Sequence, residues 1–99
     1  MKSKVEWTKE AKSSLDYHCE IIALESLKNA RNVRRVILST AKVLEDYPRM
    51  YQQDEYYFDS NKDIRRFFCW SYRIVYQVKE PIIRILDVIH TKSNPINFE

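Results

Sequence analysis

The spacing of apolar residues changes character halfway along the chain. Lys4 to Trp7 alternates, with Val5 and Trp7 on one face, and predicts a short strand. Thr8 is the expected N-cap of a first helix, with Glu10 in its first turn near the positive end of the helix dipole. Ala11, Leu15, His18, Cys19 and Ile22 then recur at helical spacing, and the helix is expected to end between Leu24 and Lys28. Asn29 is the expected cap of a second helix, whose stripe is Val33, Val36, Ile37, Thr40, Ala41 and Leu44. Tyr47-Pro48 stops it, because a residue before proline avoids the helical region.

Beyond Pro48 the helical period disappears. Residues 49–61 are polar, tyrosine-rich and irregular, with one short strand expected at Glu55–Phe58. Asp63–Trp70, Tyr72–Val78 and Ile82–Ile89 are rich in Ile, Val, Phe, Tyr and Trp and predict three strands. Lys79-Glu80-Pro81 makes a turn between the last two, and Ser71 leaves so little room that the preceding turn must take a residue from a neighbouring strand. The expected order is β-α-α-β-β-β-β. It describes an α+β fold: a helical hairpin packed on one face of a four- to five-stranded, mainly antiparallel sheet. All of this fits one domain over residues 1–99. The face away from the helices is left for solvent and function.

Strand alternation assigns residues to the two faces. Tyr72, Ile74, Tyr76 and Val78 belong under the helices, which puts Arg73 on the open face. Arg65 and Arg66 point opposite ways, so one of them joins Arg73. In the last strand Ile82, Arg84, Leu86, Val88 and His90 share a face. Arg84 marks that face as open, although Asp87 on the other side argues the reverse. The expected open face therefore carries Arg73, Arg65 or Arg66, Arg84 and His90, with Lys92 just beyond.

Charge reinforces this picture. The net charge is +3, and residues 64–92 alone carry +4, from Arg65, Arg66, Arg73, Lys79, Arg84 and Lys92 against Glu80 and Asp87. Residues 49–63 carry −2. Clustered guanidinium groups suit an anionic partner, and Tyr56, Tyr57, Phe58, Phe68 and Trp70 offer rings on which bases stack. The alternative for Arg73 is a pairing with a carboxylate on the sheet face, and for the rings a place in the core or at an edge.

Composition narrows the chemistry. The 99 residues include no glycine, which excludes a P-loop, a dinucleotide fingerprint and a G-x-S-x-G nucleophile elbow. Any left-handed turn position is expected to fall to Asn or Asp, such as Asn29, Asn61 or Asn94. Two cysteines, Cys19 and Cys69, and two histidines, His18 and His90, make no disulfide framework and no metal knuckle, so no metal or cofactor is expected. A charged N-terminus and short apolar runs predict a cytoplasmic protein without a membrane span.

Tyr72-Arg73-Ile74-Val75-Tyr76-Gln77-Val78 closely resembles the central-strand signature of the RelE/ParE superfamily of bacterial toxins. The frame matches too: Val5-Glu6-Trp7-Thr8 leading into a helix, a second helix ending at Leu44–Pro48, then Ile64-Arg65-Arg66-Phe67. Ile85-Leu86-Asp87-Val88-Ile89-His90 leading to Asn94-Pro95 completes it. The resemblance implies the toxin of a type II toxin–antitoxin module, neutralised by a cognate antitoxin, as a homodimer or a hetero-oligomer with it. It offers two targets. RelE-like members cut mRNA on the ribosome without a metal, and ParE-like members poison DNA gyrase.

Under the nuclease reading, Arg73 falls on an arginine that stabilises the phosphate transition state. Arg66 and Lys92 fall near further basic positions, His90 on the catalytic histidine of a YoeB-like subgroup, and Glu55 near its general-base glutamate. Arg65 and Arg84 are the expected RNA contacts. Against this, Thr91 follows His90 in place of a tyrosine, and Phe98, without a hydroxyl, stands near the RelE-like C-terminal tyrosine. The sequence reading is a RelE-like, ribosome-dependent mRNA endonuclease. The alternatives are a ParE-like gyrase poison, or a degenerate toxin that binds only its antitoxin.

Overall fold

A computed structural model describes residues 2–57 and 61–93. Phe58 of the expected short strand, Asn94–Pro95 and Phe98 lie outside those residues. The elements run β1 (Lys4–Trp7), α1 (Lys9–Ala23), α2 (Leu27–Val43), β2 (Asp63–Cys69), β3 (Tyr72–Lys79) and β4 (Ile82–His90), with a 3₁₀ turn at Thr91–Ser93. The sheet has four strands in the order β1-β4-β3-β2. β2, β3 and β4 pair antiparallel, and β1 adds parallel to β4, Lys4 opposite Ile82 through Trp7 opposite Ile85.

Local chemistry sets the element ends. Thr8 caps α1, its Oγ1 accepting the Ala11 N–H at 3.1 Å while donating to the Ile85 carbonyl at 2.8 Å. One side chain thus closes the helix start and ties it to β4. The cap of α2 is Ser26 rather than Asn29: its Oγ accepts the Asn29 N–H at 3.1 Å, so the cap lies three residues before the expected one. At the other end of α2, Glu45 joins the end of the helix to β1. Its carboxylate accepts the Val5 N–H at 3.0 Å and pairs with Lys42 at 3.3 Å. The Val5 hydrogen bond chiefly, helped by Lys42, holds this carboxyl below its usual range.

The core lies between the helical hairpin and one sheet face. Leu15, Ile37 and Leu44 meet Phe67, Ile74, Tyr76, Ile83, Ile85 and Val88, all nearly or fully buried. The Tyr76 hydroxyl, buried and therefore reluctant to ionise, donates to the Pro48 carbonyl at 3.1 Å. Two irregularities shape the sheet. The first is the β2–β3 hairpin, which turns on Trp70-Ser71. The positive φ of the described residues falls at Trp70, at 54°, not at an Asn or Asp. Asn29 sits inside α2. A two-residue hairpin turn requires left-handed backbone, and with no glycine in the chain a tryptophan takes it.

The second irregularity is a bulge. Val75 pairs with Asp87 but Tyr76 pairs with Ile85, leaving Leu86 as an extra residue in β4. The bulge reverses the alternation along β4. Ile83, Ile85 and Val88 all enter the core, and the expected common face of Arg84 and His90 does not exist. Asp87, whose position conflicted with simple alternation, lies at the bulge: its Oδ1 accepts from Ser14 Oγ at 2.7 Å and from the Val88 N–H at 2.8 Å.

Over its described residues the expected strand at 55–58 is instead a set of bends. Residues 52–54 line the edge of β2. Asp54 N–H donates to the Ile64 carbonyl at 2.9 Å and Arg66 N–H to the Gln52 carbonyl at 3.1 Å. A single bridge joins Gln53 to Arg65. No helix among the described residues is long and apolar enough to cross a membrane.

Candidate functional site

The seven residues proposed for function do not converge. Arg73 leaves β3 on the face away from the helices, as alternation requires, but it is only 4% exposed. Residues 52–57 fold across it. Its Nη1 pairs with Asp54 Oδ1, and Asp54 is 1% exposed. The other carboxylate oxygen, Oδ2, accepts the N–H groups of Tyr56 at 3.0 Å and Tyr57 at 2.8 Å. The guanidinium lies 4.7 Å from the Tyr56 ring centre and 5.8 Å from that of Tyr57. A buried charge persists only if paired and hydrogen-bonded, and Arg73 has both a carboxylate and two ring faces.

Arg66 shares this face. It sits opposite Val75, donates to Gln52 Oε1 at 3.2 Å, and places its guanidinium 5.0 Å from the centre of the exposed Phe68 ring. Arg65 points the other way, on the side of Phe67. Its donors go to Asp63 at the start of β2, at 2.9 Å, and to the Tyr51 carbonyl in the preceding loop, at 2.6 Å. Arg84 is exposed, between Glu6 of β1 and Gln77 of β3. Glu55 is exposed in the bend beside Asp54, and Lys92 is exposed in the 3₁₀ turn.

His90 lies on the opposite side of the sheet from Arg73. It pairs with Tyr72, and its ring is 5.0 Å from that of Tyr72 and 6.3 Å from that of His18 on α1. His18 Nε2 faces the Val88 carbonyl at 2.9 Å, which only accepts, so this nitrogen carries the proton. Burial first, then His18 and Lys92, lowers the pKa of His90 below its ordinary value. The imidazole opens into a pocket of ≈ 350 Å³ between the helices and the Trp70 hairpin, lined also by Ile22, Asn29, Asn32, Val33, Ser71 and Tyr72. Arg73 and Arg66 are therefore brought together, while His90 and Arg65 are directed away from them.

The partner that the sequence reading lacked is Asp54. Its signal is a lone arginine in the middle of a strand, together with the acidic segment just before β2.

A family model described as the ParE toxin of type II toxin–antitoxin systems, parDE, matches residues 5–95. The chain belongs to this family. It is thus a RelE/ParE superfamily toxin, and a type II toxin has an antitoxin as its partner. A search of curated proteins returned no match. Within the ParE toxin, the YRIVYQV strand divides its labour: Tyr72, Ile74, Tyr76 and Val78 build the core, and Arg73 organises the segment that covers the opposite face.

Proposed function

We propose that this toxin is a ParE-like poison of DNA gyrase that acts by binding protein, and that it does not cut mRNA. The observation that carries this reading is the separation of Arg73 from His90. A phosphate transition state needs its cation and its proton donor within hydrogen-bond reach of one phosphodiester. Here the cation is neutralised by Asp54 under a cover, and the imidazole stands across the sheet beside His18. Beside them Arg66 is tied to Gln52 and stacked near Phe68, and the exposed Arg84 stands further along the same face, opposite Gln77. The ParE description of the family model that matches is in keeping with this reading.

Induced expression without antitoxin, followed by pulse labelling, separates the targets. DNA synthesis is expected to fall while protein synthesis continues. An earlier collapse of protein synthesis, with cuts in translated mRNA, would identify the ribosome as the target.

A further inference from the structure

We infer that Asp54 and Arg73 are positioning residues that present Tyr56 and Tyr57 as a pair of target-contacting rings on the open sheet face. This rests on the reading of the toxin as a protein binder. Both oxygens of Asp54 are committed: one to Arg73, the other to two successive backbone N–H groups. Its own N–H is fixed to β2 through the Ile64 carbonyl. A carboxylate that accepts N–H groups two and three residues ahead sets the course of the chain there. The guanidinium beneath then fixes where the rings lie, because a cation is attracted to a ring face.

The result is an inverted surface. The charges are inside, and the rings are outside, Tyr56 at 47% and Tyr57 at 41% exposure. One face of each ring covers Arg73, and nearly half of each side chain is left to solvent. Phe68, directly across β2–β3 from Arg73, is also exposed and carries Arg66 over its ring. Rigid aromatics beside an arginine are the composition of protein-interface hot spots.

Charge chooses the class of partner. Beside the rings Arg73 is offset by Asp54 and Arg66 by Glu55, while the exposed Lys79 and Arg84 add positive charge further along the same face. Nucleic-acid binding draws on uncompensated cations beside the bases it stacks, and none stands in excess beside these rings. A protein surface that is apolar where it meets the rings and acidic where it meets Arg84 and Lys79 fits this face.

The test places 3-fluorotyrosine at position 56 or 57 and follows its ¹⁹F resonance as purified gyrase or a single-stranded RNA is added. The resonance is expected to shift with gyrase and not with RNA. It is also expected to move in Asp54→Asn, which frees the rings without touching the target. A shift with RNA alone overturns the assignment. In cells, Tyr56→Ala/Tyr57→Ala is expected to raise the expression needed for growth arrest at least about tenfold, with the fold checked by retained antitoxin binding. Asp54→Asn is expected to weaken arrest as well. Undiminished arrest by the double tyrosine variant, or stronger arrest by Asp54→Asn through an Arg73 released to grip phosphate, would overturn the inference. Growth arrest is read whatever the target. A wild-type toxin that leaves gyrase untouched would therefore sink the proposed function, while the cellular comparison still decides the role of the tyrosines.

Discussion

The two faces of the central sheet are closed to water by different physics. On the helix side, Ile74 and Tyr76 are sealed by apolar packing against two helices. On the other side, Arg73 is nearly as buried, yet its cover is one carboxylate, two backbone hydrogen bonds and two tyrosine rings. Apolar burial is non-directional and tolerates repacking. An ion pair out of water depends on both partners, and removing one strands the other. The helix face is therefore a scaffold, and the open face is a device whose surface depends on a single buried contact.

The contrast between the faces is broken most severely by cutting that contact. Arg73→Met or Asp54→Ala alone is expected to cost about 3–5 kcal/mol by chemical denaturation, through an uncompensated buried charge. Arg73→Met/Asp54→Leu together is expected to recover most of that loss, because a matched apolar pair leaves no charge behind. On the helix face, Ile74→Ala is expected to cost about 2–5 kcal/mol, and no single second substitution of a polar neighbour should rescue it. Simple additivity in Arg73→Met/Asp54→Leu, with no recovery, would erase the distinction between the faces.

The smallest effect concerns His90. Its pKa is lowered by burial and by His18 and Lys92, so the folded chain binds fewer protons than the unfolded chain just below the ordinary value of 6.5. Stability therefore falls as pH drops through that region. His90→Gln is expected to flatten the dependence of melting temperature on pH between about 7 and 5 relative to wild type. An unchanged slope would show that His90 is not held neutral by its surroundings.

Much of the fold is legible in the sequence, for identifiable reasons. Both helices, their hairpin and the four strands of the sheet come from periods that the packing obeys. The Tyr72, Ile74, Tyr76, Val78 set is apolar throughout and leaves no choice of face. The phase of β4 is hidden because the bulge at Leu86 inserts a residue without any compositional mark beyond the misplaced Asp87. Trp70 at the hairpin is hidden because turn preferences favour Asn, Asp and Gly. Burial of Arg73 is hidden because its partner lies 19 residues away in a segment with no periodicity. The expected grouping of site residues differs from the observed one at the same places, since the position of His90 depends on the phase of β4 and that of Arg73 on the segment that covers it.

The central claim is that this toxin grips a protein with an organised surface and performs no cleavage of RNA. Purified wild-type toxin added to DNA gyrase and relaxed plasmid tests it most directly. The account predicts loss of supercoiling and accumulation of gyrase-cleaved DNA as toxin is raised. Unimpaired supercoiling, alongside toxin-dependent cuts in mRNA on translating ribosomes, would contradict it.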